Sequence, residues 1–342
     1  MHTLSKLYWF DAHLDLAYLA VQGRNMLADE TALAKLDEPG AISLHSLANG
    51  QVRRAAATIF VQPRGIDDVG RMVDGPWCYG NADEAYDASI VQLDWYRQAH
   101  EKGLLEIIDR SGLQMTQQSP MQIMLLLEGA AGVRRSDDLD EFYRRGVRIL
   151  AATWATGTQW AGGDKSGGDI TPQGRELLQH ADRLKMVHDV SHLSEKAFWT
   201  LLECTNGPKI SSHSNCRSLL PGKYRPERHL SDDQIKALAG VDAVMGINLY
   251  AHFLVSSGPA KVDDVVRHIE HILNLTGRSD LIALGSDMDG GFSSEFLPEG
   301  IHFPKDLWKL SEALSQKGFT NEQIEQFAWR NWNRFFEQAG LI

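Results

Sequence analysis

Residues 186–213 read MVHDVSHLSEKAFWTLLECTNGPKISSH. Met186–His192 is a continuous apolar-rich run, as expected of a strand buried on both faces. Ser194 and Glu195 then open an amphipathic segment that runs to Glu203, a helix-start signal. A second short run, Lys209–His213, follows. Strand, helix and strand in that order predict a parallel unit. Working outward, the alternation recurs. Strand-like runs lie at Leu7–Asp15, Ala55–Gln62, Gln122–Glu128, Val147–Trp154, Ala243–Leu249 and Leu281–Asp287, giving eight in all. Helical patterns occupy Asp83–Lys102, Thr171–Leu184, Ser231–Ala239, Val262–Leu275 and Asn321–Gln338. Thr171-Pro172 is a capping residue followed by proline in the first turn, and SDDQ at 231–234 is a capping-box pattern. Eight strand-then-helix units predict an α/β fold, a single (β/α)8 TIM-type barrel with insertions, rather than an open sheet. The longest insertion is expected at about residues 63–120. No repeat or linker divides the chain, so residues 1–342 read as one domain.

The composition bounds the function. The 342 residues are 43% apolar and 23% charged, which excludes a disordered or collagen-like chain. A formal net charge of −11 argues against phosphate-backbone binding, so no nucleic-acid partner is expected. No apolar run approaches the roughly 20 residues that a membrane-spanning helix needs. Asp11, His13 and Asp15 interrupt the first apolar stretch, which argues against a signal peptide. The C-terminal FFEQAGLI has no hydrophobic tail of a lipid-anchor signal. Cys78, Cys204 and Cys216 are too few and too scattered for a disulfide frame. A reducing cytoplasm, with no membrane association, is the expectation.

Active sites of such barrels lie where the strands end, at the C-terminal face. The first run ends His13-Leu14-Asp15, the third in Glu128, the fifth in His192, the sixth in His213 and the eighth in Asp287. Residues two apart on a strand point the same way, so His13 and Asp15 can share the barrel mouth. Imidazoles and carboxylates suit Zn²⁺ and its neighbours. Three histidines with two or three carboxylates exceed the needs of one tetrahedral zinc and suit two metals sharing a carboxylate. Two dications against Asp15, Glu128 and a bridging hydroxide leave a net positive charge. That charge favours an anionic intermediate and lowers the pKa of bound water towards about 7. His188, deeper in its strand, reads as a barrel-interior or wall residue. Cys216 reads as inert packing. His100, His180 and His268 fall in helical patterns and read as solvated. A phosphate-binding glycine loop, a dinucleotide fingerprint, a nucleophile elbow and HExxH are all absent from the sequence.

These residues sit in longer stretches. DAHLDL, LLLEGA, DITPQGRELLQHADRLKMVHDVSH, KISSHSNCRSL, RHLSDDQIKAL and IALGSDMDGG run nearly end to end along the chain. In that order they resemble the renal (membrane) dipeptidase family of metallopeptidases, within the amidohydrolase-type barrels. The resemblance implies two zinc ions per chain. His13 and Asp15 would hold one, His192 and His213 the other, and Glu128 would bridge them. It implies a hydrolase that cleaves small dipeptides through a bridging hydroxide and tolerates a D-residue at the C-terminal position. Asp287 would move the proton from water to the leaving amine. Arg228 would hold the substrate carboxylate, a task suited to a forked guanidinium, with Arg225 as the substitute candidate. Asp289 would support the site from behind. The resemblance also allows a homodimer.

Two stretches depart from the family pattern. Trp154 closes RILAATW, where the family often carries a histidine that contacts the scissile group, and AAATIFVQP matches the usual aromatic pattern of the second strand poorly. Both leave metal binding intact and bear on substrate choice. An amidohydrolase acting on another small amide or cyclic substrate therefore stays open. So does a metal-containing tailoring or binding protein, although a pure binder has no need of an acid/base at Asp287.

Overall fold

The computed structural model describes residues 7–66, 72–109, 119–223 and 225–342. Its eight principal strands, in chain order, are β1 (Trp9–Leu14), β2 (Val52–Phe60), β3 (Met121–Glu128), β4 (Val147–Ala151), β5 (Val187–Asp189), β6 (Lys209–Ser211), β7 (Val244–Ile247) and β8 (Ile282–Leu284). Each pairs in parallel with the next, in strictly sequential order. The sheet is a nearly closed parallel barrel, as the strand-helix alternation predicts. At the seam between β8 and β1 there is no ladder among the described residues. Instead the Asp11 carboxylate accepts the Ser286 N–H at 2.8 Å, and the Asp287 N–H reaches the His13 carbonyl at 3.3 Å.

The helices form where the caps predict. Thr171 and Ser194 each cap the N–H three residues on, and Ser231 with Gln234 forms the reciprocal box. The C-terminal pattern differs. A stretch of π-helix at Gln326–Arg330 splits it into Asn321–Glu325 and Asn331–Gln338. The second piece closes the bottom of the barrel. The Trp332 indole donates to the Leu284 carbonyl, and Trp332 and Phe336 pack on Phe10. Above this floor every strand contributes to one apolar cluster, with Phe10, Ala56, Met124, Ile149, Val187, Ile210, Val244 and Ala283 among its members. The barrel interior is packed, so only its upper end is open to chemistry. The 63–120 insertion holds the helix Ala82–Glu101 and a short strand, Leu105–Ile107, that pairs with β3. Residues 67–71 and 110–118 of that insertion lie outside the described residues.

Two histidine readings are corrected. His268 is fully buried, not solvated, because the inward row Val265, His268, Ile269 and Ile272 places it on the apolar face of its helix. Its ring spans the Cys216 N–H and the Leu254 carbonyl. His180 is also buried and pairs with Asp140 at 2.8 Å. His100 is exposed. His188 is a wall residue. Its neighbour Val187 fills the interior, so its own ring turns outward to Asp182, 2.7 Å away. Cys216 is buried and donates to the His268 carbonyl.

Candidate active site

Strand periodicity places the central carboxylate. Met124 and Leu126 fill the barrel interior, so Glu128, two further on, emerges on the same face at its top. One of its oxygens lies 3.3 Å from His13 Nε2. The other lies 3.2 Å from His192 Nε2 and 3.7 Å from His213 Nε2. Asp15, at the N-cap position of the helix Leu16–Val21, is held by the Thr58 hydroxyl. Three sets of ligand atoms converge: His13, Asp15 and Glu128; Glu128, His192 and His213; His13, His213 and Asp287. All these side chains are buried.

The strands stop short of several of these residues. β5 ends at Asp189 and β8 at Leu284, while His192 and Asp287 stand three residues further on with φ of 66° and 59°. The turned backbone is fixed by carboxylates left at the strand ends. Asp189 accepts the N–H groups of Ser191 and Ser212 and the Ser212 hydroxyl. Asp11 accepts those of His13 and Ser286.

Packed together and buried, these groups shift one another's titration. Burial pushes the Asp287 carboxyl up to about 8, with Asp15 and Glu128 adding to the rise against the pull of His13. Burial and the Glu128 charge raise Asp15 to about 6. Burial would lower His13, but Glu128 overrides it and lifts His13 to about 10. The same contacts, with His13 and His192, hold Glu128 below the usual carboxylate range despite its burial. His213 is driven well below 6.5 by burial and the neighbouring positive groups. The Nε2 atoms of His192 and His213 face each other at 3.1 Å. Two ring nitrogens this close need a proton or a cation between their lone pairs. The donor set of imidazole and carboxylate fits zinc and similar dications.

The cluster floors a cavity of about 590 Å³. Arg228 lines it, buried, with Nη2 donating to the His213 carbonyl at 2.8 Å and Nη1 to Ser214 Oγ at 3.2 Å. Its Nε has no partner among the described residues. Arg225 also lines the cavity, and its guanidinium pairs with Asp164. Trp154 forms a wall with Phe60, ring centroids 5.2 Å apart, and stands 6.0 Å from the His192 ring. Asp289 lies outside the ligand cluster. It accepts the N–H groups of Ala41 and Ile42 and pairs with Arg24, anchoring the 24–42 segment beside the cavity.

The sequence matches the model of the membrane dipeptidase family, peptidase family M19, over residues 2–342. The chain belongs to this family. Membrane dipeptidases are metallopeptidases, and this member is a hydrolase of that type. An uncharacterized protein from the pqqA 5′ region of Klebsiella pneumoniae is 31% identical, across 70% of this chain and 91% of its own length. Dipeptidase tcpJ of Claviceps purpurea is 26% identical, across 96% and 76%. Among solved structures, a Rhodobacter sphaeroides metallopeptidase bound to a phosphinate mimic of L-Ala-D-Ala aligns over 97% of this chain and 99% of its own. Its TM-score is 0.79 at 22% identity. A second, dipeptidase AC of family M19, gives 0.80 at 22% identity, covering 98% and 99%. Both likenesses are of fold.

Three residues around this member's cluster were not foreseen from its sequence. Asp164 accepts from His192, the Asn248 amide donates to Asp287 at 2.8 Å, and Thr58 donates to Asp15. Asp164 follows a Gly-Gly pair, a signal of close backbone approach that was available. Thr58 and Asn248 carried no local signal. No helix among the described residues is long and apolar enough to cross a membrane.

Proposed function

We propose that this chain, acting as one domain over residues 1–342, is a zinc-dependent dipeptidase with two metal positions that share Glu128. The observation that carries the reading is the placement of Glu128 within 3.3 Å of His13 and 3.2 Å of His192, on opposite oxygens. His13 and Asp15 would hold one ion, and His192 and His213 the other. When bound, the ions supply Lewis acidity at the scissile carbonyl and water ionised near neutral pH.

The chain's own groups do the rest. Asn248 fixes one Asp287 oxygen, so this carboxyl can take a proton beside the reacting carbonyl and pass it to the departing amine. Arg228 Nε, buried and without a partner among the described residues, suits the C-terminal carboxylate of a dipeptide. Asp289 keeps the 24–42 segment in place. Phe60 and Trp154 supply an apolar part of the cavity wall. The Rhodobacter sphaeroides likeness, bound to an L-Ala-D-Ala mimic, supports tolerance of a C-terminal D-residue. Trp154 in place of the family's frequent histidine favours a narrower substrate range than the family's, with another small amide as the second reading. Metal analysis alongside hydrolysis of L,L and L,D dipeptide panels tests the proposal. Two zinc ions and turnover of at least one L,D dipeptide are expected. Fully folded, zinc-supplemented protein carrying fewer than two ions, or hydrolysing none of the panel, refutes it.

A further inference from the structure

The antiparallel hairpin Ala161–Gly163 to Gly167–Ile170 follows β4 in the chain and bridges from Gly163 to Leu193, next to His192. Its sequence, WAGGD at 160–164, explains how close it comes. A Cβ on Gly163 would lie 2.3 Å from the Trp154 carbonyl oxygen, and one on Gly162 would lie 2.2 Å from that of Gly167. Only glycine fits at either place, and the two together deliver Asp164 against His192. There Asp164 makes two contacts with one residue. Its N–H donates to the His192 carbonyl at 2.8 Å, and its Oδ1 lies 3.1 Å from His192 Nδ1. His192 is itself in the left-handed region, at φ 66°, so its backbone depends on such neighbours. The other Asp164 oxygen is taken by Arg225, with Nε at 2.8 Å and Nη2 at 2.6 Å. Asp164 has no exposed side-chain surface.

We infer that Asp164 is a positioning residue, which accepts the hydrogen bond of the His192 Nδ1–H, thereby fixing Nε2 as the bare nitrogen that faces Glu128 and His213, and is itself oriented by Arg225. The inference rests on the reading of His192 as a metal ligand. The physical ground is that an imidazole donating from one nitrogen must present a lone pair at the other. A carboxylate behind a ligating histidine fixes tautomer and ring angle, and its loss typically costs about 10–100-fold in metal affinity or activity. Arg225 and Arg228 sit on one short loop, so the same carboxylate ties the loop that faces the substrate to a ligand of the metal.

The test is metal retention, read without turnover. Wild type, Asp164→Ala, Asp164→Asn and Arg225→Gln are loaded with zinc and titrated with a graded chelator. Cobalt-loaded samples give the visible ligand-field spectrum. In Asp164→Ala one of two ions should leave about 10–100-fold more readily and the cobalt bands should shift. Asp164→Asn, whose amide oxygen can still accept from Nδ1, should recover part of the loss. Arg225→Gln should act in the same direction more weakly and add nothing in the Asp164→Ala background. With dipeptide, kcat should fall while KM holds. If wild type takes up no metal, the dipeptidase reading fails and this inference with it. If wild type holds two ions and folded Asp164→Ala holds them equally, with an unchanged cobalt spectrum, the inference alone is overturned. Should Asp164→Ala not fold, the same comparison on Asp164→Asn and Arg225→Gln decides it.

Discussion

Arg228 offers the sharpest test of substrate orientation. Its Nη2 and Nη1 are committed to the His213 carbonyl and Ser214, and its Nε is buried without a partner among the described residues. A substrate carboxylate accepting from Nε would gain one charge-assisted hydrogen bond. Such a bond is worth about 1.5–3 kcal/mol, or about 10–150-fold in kcat/KM. Wild type should therefore prefer a dipeptide over the same dipeptide capped as its C-terminal amide by about that factor. Arg228→Met also strips the donors from His213 and Ser214, so its activity on both substrates should fall. The quantity to read is thus the ratio of kcat/KM for acid over amide, which cancels the shared loss. It should drop close to one in Arg228→Met and stay at the wild-type value in Arg225→Met. An unchanged ratio in folded, metal-loaded Arg228→Met would refute the assignment, and a collapse in Arg225→Met instead would transfer the role to that residue.

Other outcomes follow from the same geometry. Asp287→Asn keeps the Asn248 neighbourhood but cannot carry a proton, so metal content should hold while kcat falls by about 10²–10⁴; near-normal turnover would remove Asp287 from the reaction. Trp154→His should raise kcat/KM for simple L,D dipeptides, and a folded, metal-loaded variant that improves on none of them would show that Trp154 does not set specificity. Acid stability should depend on the Asp182–His188 pair. Burial would raise Asp182, but the His188 hydrogen bond and the N–H groups of Asn206 and Gly207 bring it to about 2, below its ordinary 3.8. Its stabilisation is therefore complete above about pH 3.8 and is lost as pH falls towards 2. Melting temperatures of wild type and Asp182→Asn between pH 5 and 2.5 should converge on acidification, and parallel curves would contradict this.

Much of the barrel was legible because each strand carries an apolar row, and five of the eight runs end in a ligand-type residue. Glu128 could be placed from that pattern alone, since it continues the row of Met124 and Leu126. His192 and Asp287 were legible as chemistry but not as geometry. The apolar runs extend through them in sequence, whereas the ladder stops three residues earlier and the backbone turns left-handed. Carboxylates at strand ends make that turn, and only the folded chain shows what they hold. Arg225 and Arg228 could not be separated by sequence, because both sit on one loop. What divides them is a partner about sixty residues away, Asp164, which occupies the first and leaves the second against His213. The burial of His268 is legible in its own helix, where Val265, Ile269 and Ile272 form the inward apolar row that carries it.

The seam between the first and last strands has a consequence in time. It joins Asp11 to Ser286, 275 residues apart, and the same few atoms bring Asp287 over His13. A ribosome delivers His13 at the start of synthesis and Asp287 near its end, at about 5–20 residues per second. Until the eighth strand arrives, the growing chain has neither a closed ring nor Asp287 beside His13. An unfinished copy therefore holds His13 without Asp287, and the cluster is complete only when the ring shuts.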